Sequence, residues 1–113
     1  MEDLKSMTII PVRKGSLGLE DSELGTYLDQ LTEWELLEVD GVKRLTREFK
    51  FRNFAEALQF TNQVGELAEQ EDHHPAILTE WGKVTVTWWT HVVNGLHLND
   101  FISAAKTDQI FTS

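Results

Sequence analysis

The sequence predicts an α+β fold: one four-stranded antiparallel sheet with helices packed on one face, in the order α-β-β-α-β-β-α. Three observations carry that prediction. Asp40-Gly41 sits between two strand-like runs, and such a pair is preferred chemistry for a tight hairpin turn. The run Arg44 to Arg52 alternates with period 2. A long stripe of apolar residues at helical spacing then leads to a second pair of strand-like runs. Hairpins joined through a long helix favour an antiparallel sheet covered by helices.

Each element has its own reason. The first 20 residues read as an N-terminal arm or tail, with Gly15 and Gly18 breaking any helix, and residues 21–113 form the domain. Ordered structure is expected from Asp21-Ser22, with Ser22 as N-cap and Glu23 favouring the helix dipole. Leu24, Tyr27, Leu28 and Leu31 recur at helical spacing. Trp34 to Val39 reads as a strand. On the returning strand Leu45, Arg47, Phe49 and Phe51 share one face, while Arg44, Thr46, Glu48, Lys50 and Arg52 share the other. Asn53 is expected to cap a long helix whose face is Phe54, Ala57, Leu58, Thr61, Val64, Leu67 and Ala68. Pro75 stops it, because a proline pushes the residue before it out of helical conformation. Ala76 to Leu78 reads as a short strand, Trp81-Gly82 as a turn and Lys83 to His91 as the next strand. Asn94-Gly95 is a loop, and a last helix begins near Leu98 with Phe101, Ala104, Ala105 and Phe111 apolar.

Composition narrows the function. At 113 residues, with 41% hydrophobic and 26% charged side chains, the chain has the make-up of one globular domain. Ten Lys+Arg against 19 Asp+Glu give a net charge of −9, the wrong sign for a general nucleic-acid binder. Five of those cations, Lys43, Arg44, Arg47, Lys50 and Arg52, cluster on one strand, where a solvated face explains them more simply than an anionic partner. With no cysteine, disulfides, thiolate metal sites and cysteine nucleophiles are excluded. No apolar run approaches a membrane span, and the most apolar stretch near the start, Met7 to Val12, is short and contains Pro11. The expectation is a cytoplasmic protein that engages neither membrane nor nucleic acid.

All four histidines fall between residues 73 and 97. His73 and His74 are adjacent and held by Pro75, His91 ends the predicted strand, and Asp100 opens the last helix. Three readings compete. The first is a polar helix terminus without function, which two adjacent histidines ahead of a proline disfavour. The second is a metal site, but no H-x-x-x-H or H-x-H pair is present. The third is general acid–base catalysis, since one imidazole donates a proton near neutrality while another accepts one. No G-x-S-x-G and no phosphate-cradling glycine loop supports covalent or nucleotide chemistry. Trp88 reads as core through its register with Val84 and Val86. Trp81 and Trp89 read as core or interface residues, or as stacking partners for a flat ligand.

The spacing adds a resemblance. Glu69, three residues, His73-His74-Pro75, five residues, Trp81, nine residues, His91, eight residues and Asp100 are similar to the signature of the pterin-4a-carbinolamine dehydratases. The likeness runs from about Leu31 to Phe111. It implies a metal-independent hydro-lyase without an organic cofactor, which removes water from 4a-hydroxytetrahydropterin to give quinonoid dihydropterin. That reaction recycles the pterin cofactor of aromatic amino-acid hydroxylases, such a hydroxylase being a possible partner. It also implies a homodimer or homotetramer. By position, His73, His74, His91 and Asp100 are the implied catalytic residues. Glu69, Pro75, Trp81 and Trp89 are expected to bind substrate. Ala76 and Ile77 depart from the acidic and aromatic residues that many relatives carry. His97 lies outside the signature and is expected to tolerate alanine. The alternative the resemblance allows is a non-catalytic protein-binding module, acting as a dimerisation cofactor or assembly factor.

Overall fold

Asp40 and Gly41 both take positive φ, 52° and 79°, as a two-residue hairpin turn of the Asp-Gly type demands. They join β1 (Glu35–Val39) to β2 (Val42–Lys50), paired antiparallel from Val39↔Val42 to Glu35↔Thr46. The computed structural model describes residues 3–12 and 16–112. Around that hairpin stand α1 (Asp21–Leu28), α2 (Phe54–Glu71), β3 (Ala76–Glu80), β4 (Lys83–Trp88) and α3 (Leu98–Thr112). The sheet order is β1-β2-β4-β3, every neighbouring pair antiparallel, with three helices alongside one sheet as expected.

Register explains the core. Leu45↔Trp88, Arg47↔Val86 and Phe49↔Val84 put these six residues on one sheet face. All but Arg47 are fully buried, against Ala57, Phe60, Val64 and Ala68 of α2 and Phe101 and Ala104 of α3. Arg47 tolerates that face because its guanidinium meets Asp108 of α3 at 2.7 Å and lies over the Phe49 ring at 4.4 Å. Trp34 Nε1 donates to the same carboxylate at 2.8 Å.

Several boundaries differ from the sequence reading. Glu20, not Ser22, precedes the first helical residue, and its N–H donates to Glu23 in a capping box. Asn53 caps α2 as expected, accepting from the Glu56 N–H at 2.9 Å. The buried stripe of α2 is rotated from the predicted one: Phe60 is buried, while Phe54 and Leu58 are exposed. Phe60 belongs to an aromatic cluster with Phe49, Phe51 and Phe111, which decides the helix rotation. The last strand stops at Trp88, not His91. Thr90 then bridges to Gly95, and His91–Val93 form a 3₁₀ turn ended by Asn94 at φ 52°. β4 is an interior strand; the sheet edges are β1 and β3.

Described residues ahead of α1 pack onto the domain. Leu4 opens a 3₁₀ turn, Leu4–Ser6, and is only 1% exposed in the core. Met7, Ile9 and Leu19 pack against the same core. The Leu19 N–H donates to Leu96 O at 2.8 Å, and an added Cβ on Gly18 would stand 3.1 Å from that oxygen. Gly18 therefore serves close backbone approach. Gly15 lies outside the described residues.

Candidate active site

α2 ends in a Schellman motif. Asp72 takes the left-handed conformation at φ 50°, and the His73 N–H reaches back to Ala68 O at 3.1 Å. The chain reverses there, and successive side chains diverge. His73 turns inward, 12% exposed, its ring stacked on Trp88 at 5.3 Å. His74 turns outward and pairs through Nε2 with Glu69, one turn back on α2.

Behind His73 lies Asp100, with 0% exposure. Its Oδ1 accepts from His73 Nε2 at 2.6 Å. Its Oδ2 accepts from the Thr90 hydroxyl at 2.7 Å and from the His97 N–H at 2.9 Å. Asp100 is the third residue of α3, so its carboxylate also favours the positive end of that helix. A buried carboxylate with three donors is well satisfied. It makes Nε2 the donor nitrogen of His73 and Nδ1 the acceptor nitrogen of the ring. Asp100 reaches the site through His73.

His97 immediately precedes α3. It is buried, and its Nδ1 accepts from the Asn99 N–H at 3.0 Å at the start of α3. Burial lowers its pKa below the ordinary 6.5; the Asp100 charge opposes that and His73 adds to it. The consequence for stability has a definite sign. As pH falls below 6.5, the unfolded chain protonates His97 before the folded one does, so the unfolded state gains protons and stability drops. Thermal melts from pH 7 downward are expected to show this fall. His97→Asn, which keeps a capping acceptor and removes the titration, is expected to flatten it; an unchanged slope would sink the assignment.

His73, His74, His91 and Trp89 line one open cleft of about 470 Å³. Trp89 leaves the end of β4 with the Arg44 guanidinium 4.0 Å from its ring centroid, and it meets His91 edge-on at 5.3 Å. His91 enters from the 3₁₀ turn and is exposed. Glu69 and Pro75 stand beside the cleft without lining it. Trp81 is not brought there. It is 69% exposed in the β3–β4 turn, at the opposite end of that hairpin from His73. Among the described residues, no three His, Cys, Asp or Glu side chains are grouped to hold a metal ion. No described helix is long and apolar enough to cross a membrane.

Sequence reasoning missed Thr90, Asn99 and residues 9–12. Ile9, Ile10, Pro11 and Val12 form part of the cleft lining. Their signal was the apolar Met7–Val12 run.

An α+β sheet domain with a histidine cleft backed by a buried aspartate is thus the class this chain represents. A family model described as pterin 4 alpha carbinolamine dehydratase matches residues 18–110, and the chain belongs to that family. It is 54% identical over 110 residues to a protein of Syntrophotalea carbinolica named "Putative pterin-4-alpha-carbinolamine dehydratase", covering 97% of this chain and 98% of that one. A Nitrosococcus oceani protein of the same name is 56% identical, with 97% of each chain covered. A crystal structure described as a transcriptional coactivator/pterin dehydratase from Brucella melitensis is similar at TM-score 0.74 and 38% identity, covering 82% of this chain and 97% of that one.

Proposed function

We propose that this protein dehydrates 4a-hydroxytetrahydropterin to quinonoid dihydropterin by histidine acid–base catalysis. The observation that carries the reading is the convergence of His73, His74 and His91 on one cleft, with His73 held by buried Asp100. The C4a hydroxyl leaves as water only when it takes up a proton. The C4a–O bond breaks, the ring-nitrogen electron pair forms the C=N bond, and that nitrogen gives up its proton. One histidine supplies the first proton and another accepts the second. His73 and His91 are the proton-transfer pair, and His74, steadied by Glu69 and Pro75, positions the pterin. Trp89 offers the flat ring a stacking face. The reaction needs no metal or organic cofactor.

A homodimer or homotetramer belongs to the same reading. Exposed Leu36 and Leu37 on edge strand β1, and Leu78 on edge strand β3, support association. The proposed setting is the cytoplasm, recycling pterin for an aromatic amino-acid hydroxylase. The word coactivator in the Brucella structure's description motivates a second, protein-binding role. Retention of all three histidines and Asp100 favours the enzyme.

The test is direct. Purified protein is supplied with freshly generated 4a-hydroxytetrahydropterin, and quinonoid dihydropterin is followed by absorbance with and without chelator. Turnover above the spontaneous rate is expected in both, from particles larger than the 13.0 kDa chain by light scattering. No acceleration would refute the dehydratase, chelator-sensitive turnover the metal-free mechanism, and a monomer the assembly.

A further inference from the structure

The mechanism leaves one wall of the cleft unused. Ile9, Ile10, Pro11 and Val12 line it together with the histidines, although more than 60 residues separate them in the chain. Ile9 packs against the core, and the backbone of Ile10 is held by one side chain. The Ile10 N–H donates to Asn99 Oδ1 at 3.1 Å, and Asn99 Nδ2 donates to Ile10 O at 2.7 Å. The amide thus satisfies both backbone groups of Ile10, as a neighbouring strand would. Asn99 is itself buried, and it directly precedes Asp100, which holds His73. The apolar wall and the catalytic ring are therefore anchored to consecutive residues at the start of α3. Pro11 restricts the backbone beside the latch. Ile10 is 54% exposed even though its backbone is pinned. An apolar side chain held rigidly at the rim of a cleft lined by titratable rings is suited to cover the face of a flat heterocycle.

We infer that residues 9–12, latched by Asn99, form a substrate-binding strap that packs on the bicyclic pterin and sets its affinity, with Asn99 as the positioning residue. This rests on the dehydratase reading but adds to it: the strap lies ahead of residue 18, where the family match begins. The strap contributes contact to substrate and transition state alike, so its loss raises KM and leaves kcat nearly unchanged. Proton transfer stays with the histidines.

The experiment compares the full chain with Asn99→Ala and Ile10→Ser. It measures steady-state dehydration and, separately, binding of oxidised biopterin, a non-reacting probe, by quenching of tryptophan fluorescence. Asn99→Ala is expected to raise KM and the biopterin dissociation constant about tenfold, with kcat within about twofold. Ile10→Ser, which keeps the latch and alters only an exposed side chain, is expected to shift both about threefold in the same sense. It decides the matter alone if Asn99→Ala does not fold. Unchanged KM and binding in Ile10→Ser, or a fall in kcat at constant KM, would overturn the strap, while turnover by the unaltered chain would keep the dehydratase standing. An unaltered chain with neither turnover nor biopterin binding would overturn the dehydratase, and the strap with it.

Discussion

His91→Ala and His73→Ala are each expected to lower dehydration turnover by roughly 10²–10⁴, the usual worth of a positioned acid or base. Their effects on stability should part company. His91 is exposed on a 3₁₀ turn, and its removal leaves no buried group without a partner, so the melting temperature should hold. Removing His73 strips Asp100 Oδ1 of its donor and Trp88 of its stacked ring. An unsatisfied buried acceptor costs about 1–3 kcal/mol, so this variant should melt earlier. The double variant should lose less than the product of the two single losses, because either ring alone cannot complete the paired proton transfers. Steady-state kinetics with thermal melts on all three proteins make the check. If both single variants stayed folded with near-normal rates, the proton-transfer pair would be wrongly assigned, and the protein-binding role would move ahead.

Asp100 should be the residue whose loss damages most. Asp100→Ala leaves three buried donors facing no acceptor: the Thr90 hydroxyl, the His97 N–H and His73 Nε2–H. At about 1–3 kcal/mol each, the loss is on the order of 3–9 kcal/mol, a large share of the stability of a domain this size. Asp100→Asn separates orientation from folding. The amide keeps the shape but brings an NH₂ to a site built for acceptors, and it satisfies most donors with its oxygen at the Oδ2 position and its NH₂ facing His73. The His73 ring must then change tautomer or turn away, and turnover should fall by roughly 10²-fold or more with a milder loss of stability. A folded Asp100→Asn protein with unaltered kcat would show that His73 needs no fixed tautomer.

Much of the site was legible because its residues are chemically conspicuous. The adjacent histidines before Pro75, then His91 and Asp100 at set spacings, could be picked out as a group before any fold was known. Trp81 was legible as an aromatic, but its place in space was not. A signature written along a chain does not tell which residues lie at the same end of a hairpin, and Trp81 occupies the turn at the far end from His73. His97 could be set outside the signature, but its burial could not be read along the chain. The strap was hidden by its own features: a short apolar run with a proline reads as an arm until Asn99 is seen to hold it.

Local physical chemistry, read from the sequence alone, determined the elements of this protein. Period-2 alternation, the Asp40-Gly41 turn and the Asn53 cap act over a few residues and fell where expected, while α2 ends at Glu71, ahead of the expected Pro75 stop. Tertiary structure decided what depends on contacts between distant segments. The Phe49–Phe60–Phe111 cluster chose the rotation of α2. Satisfying Asp100 drew Thr90 inward as the chain left β4 at Trp88, which placed His91 on a turn instead of a strand. Only the packed chain brought residues 9–12 beside His73, because burial and hydrogen-bond satisfaction act through space and are blind to separation along the sequence.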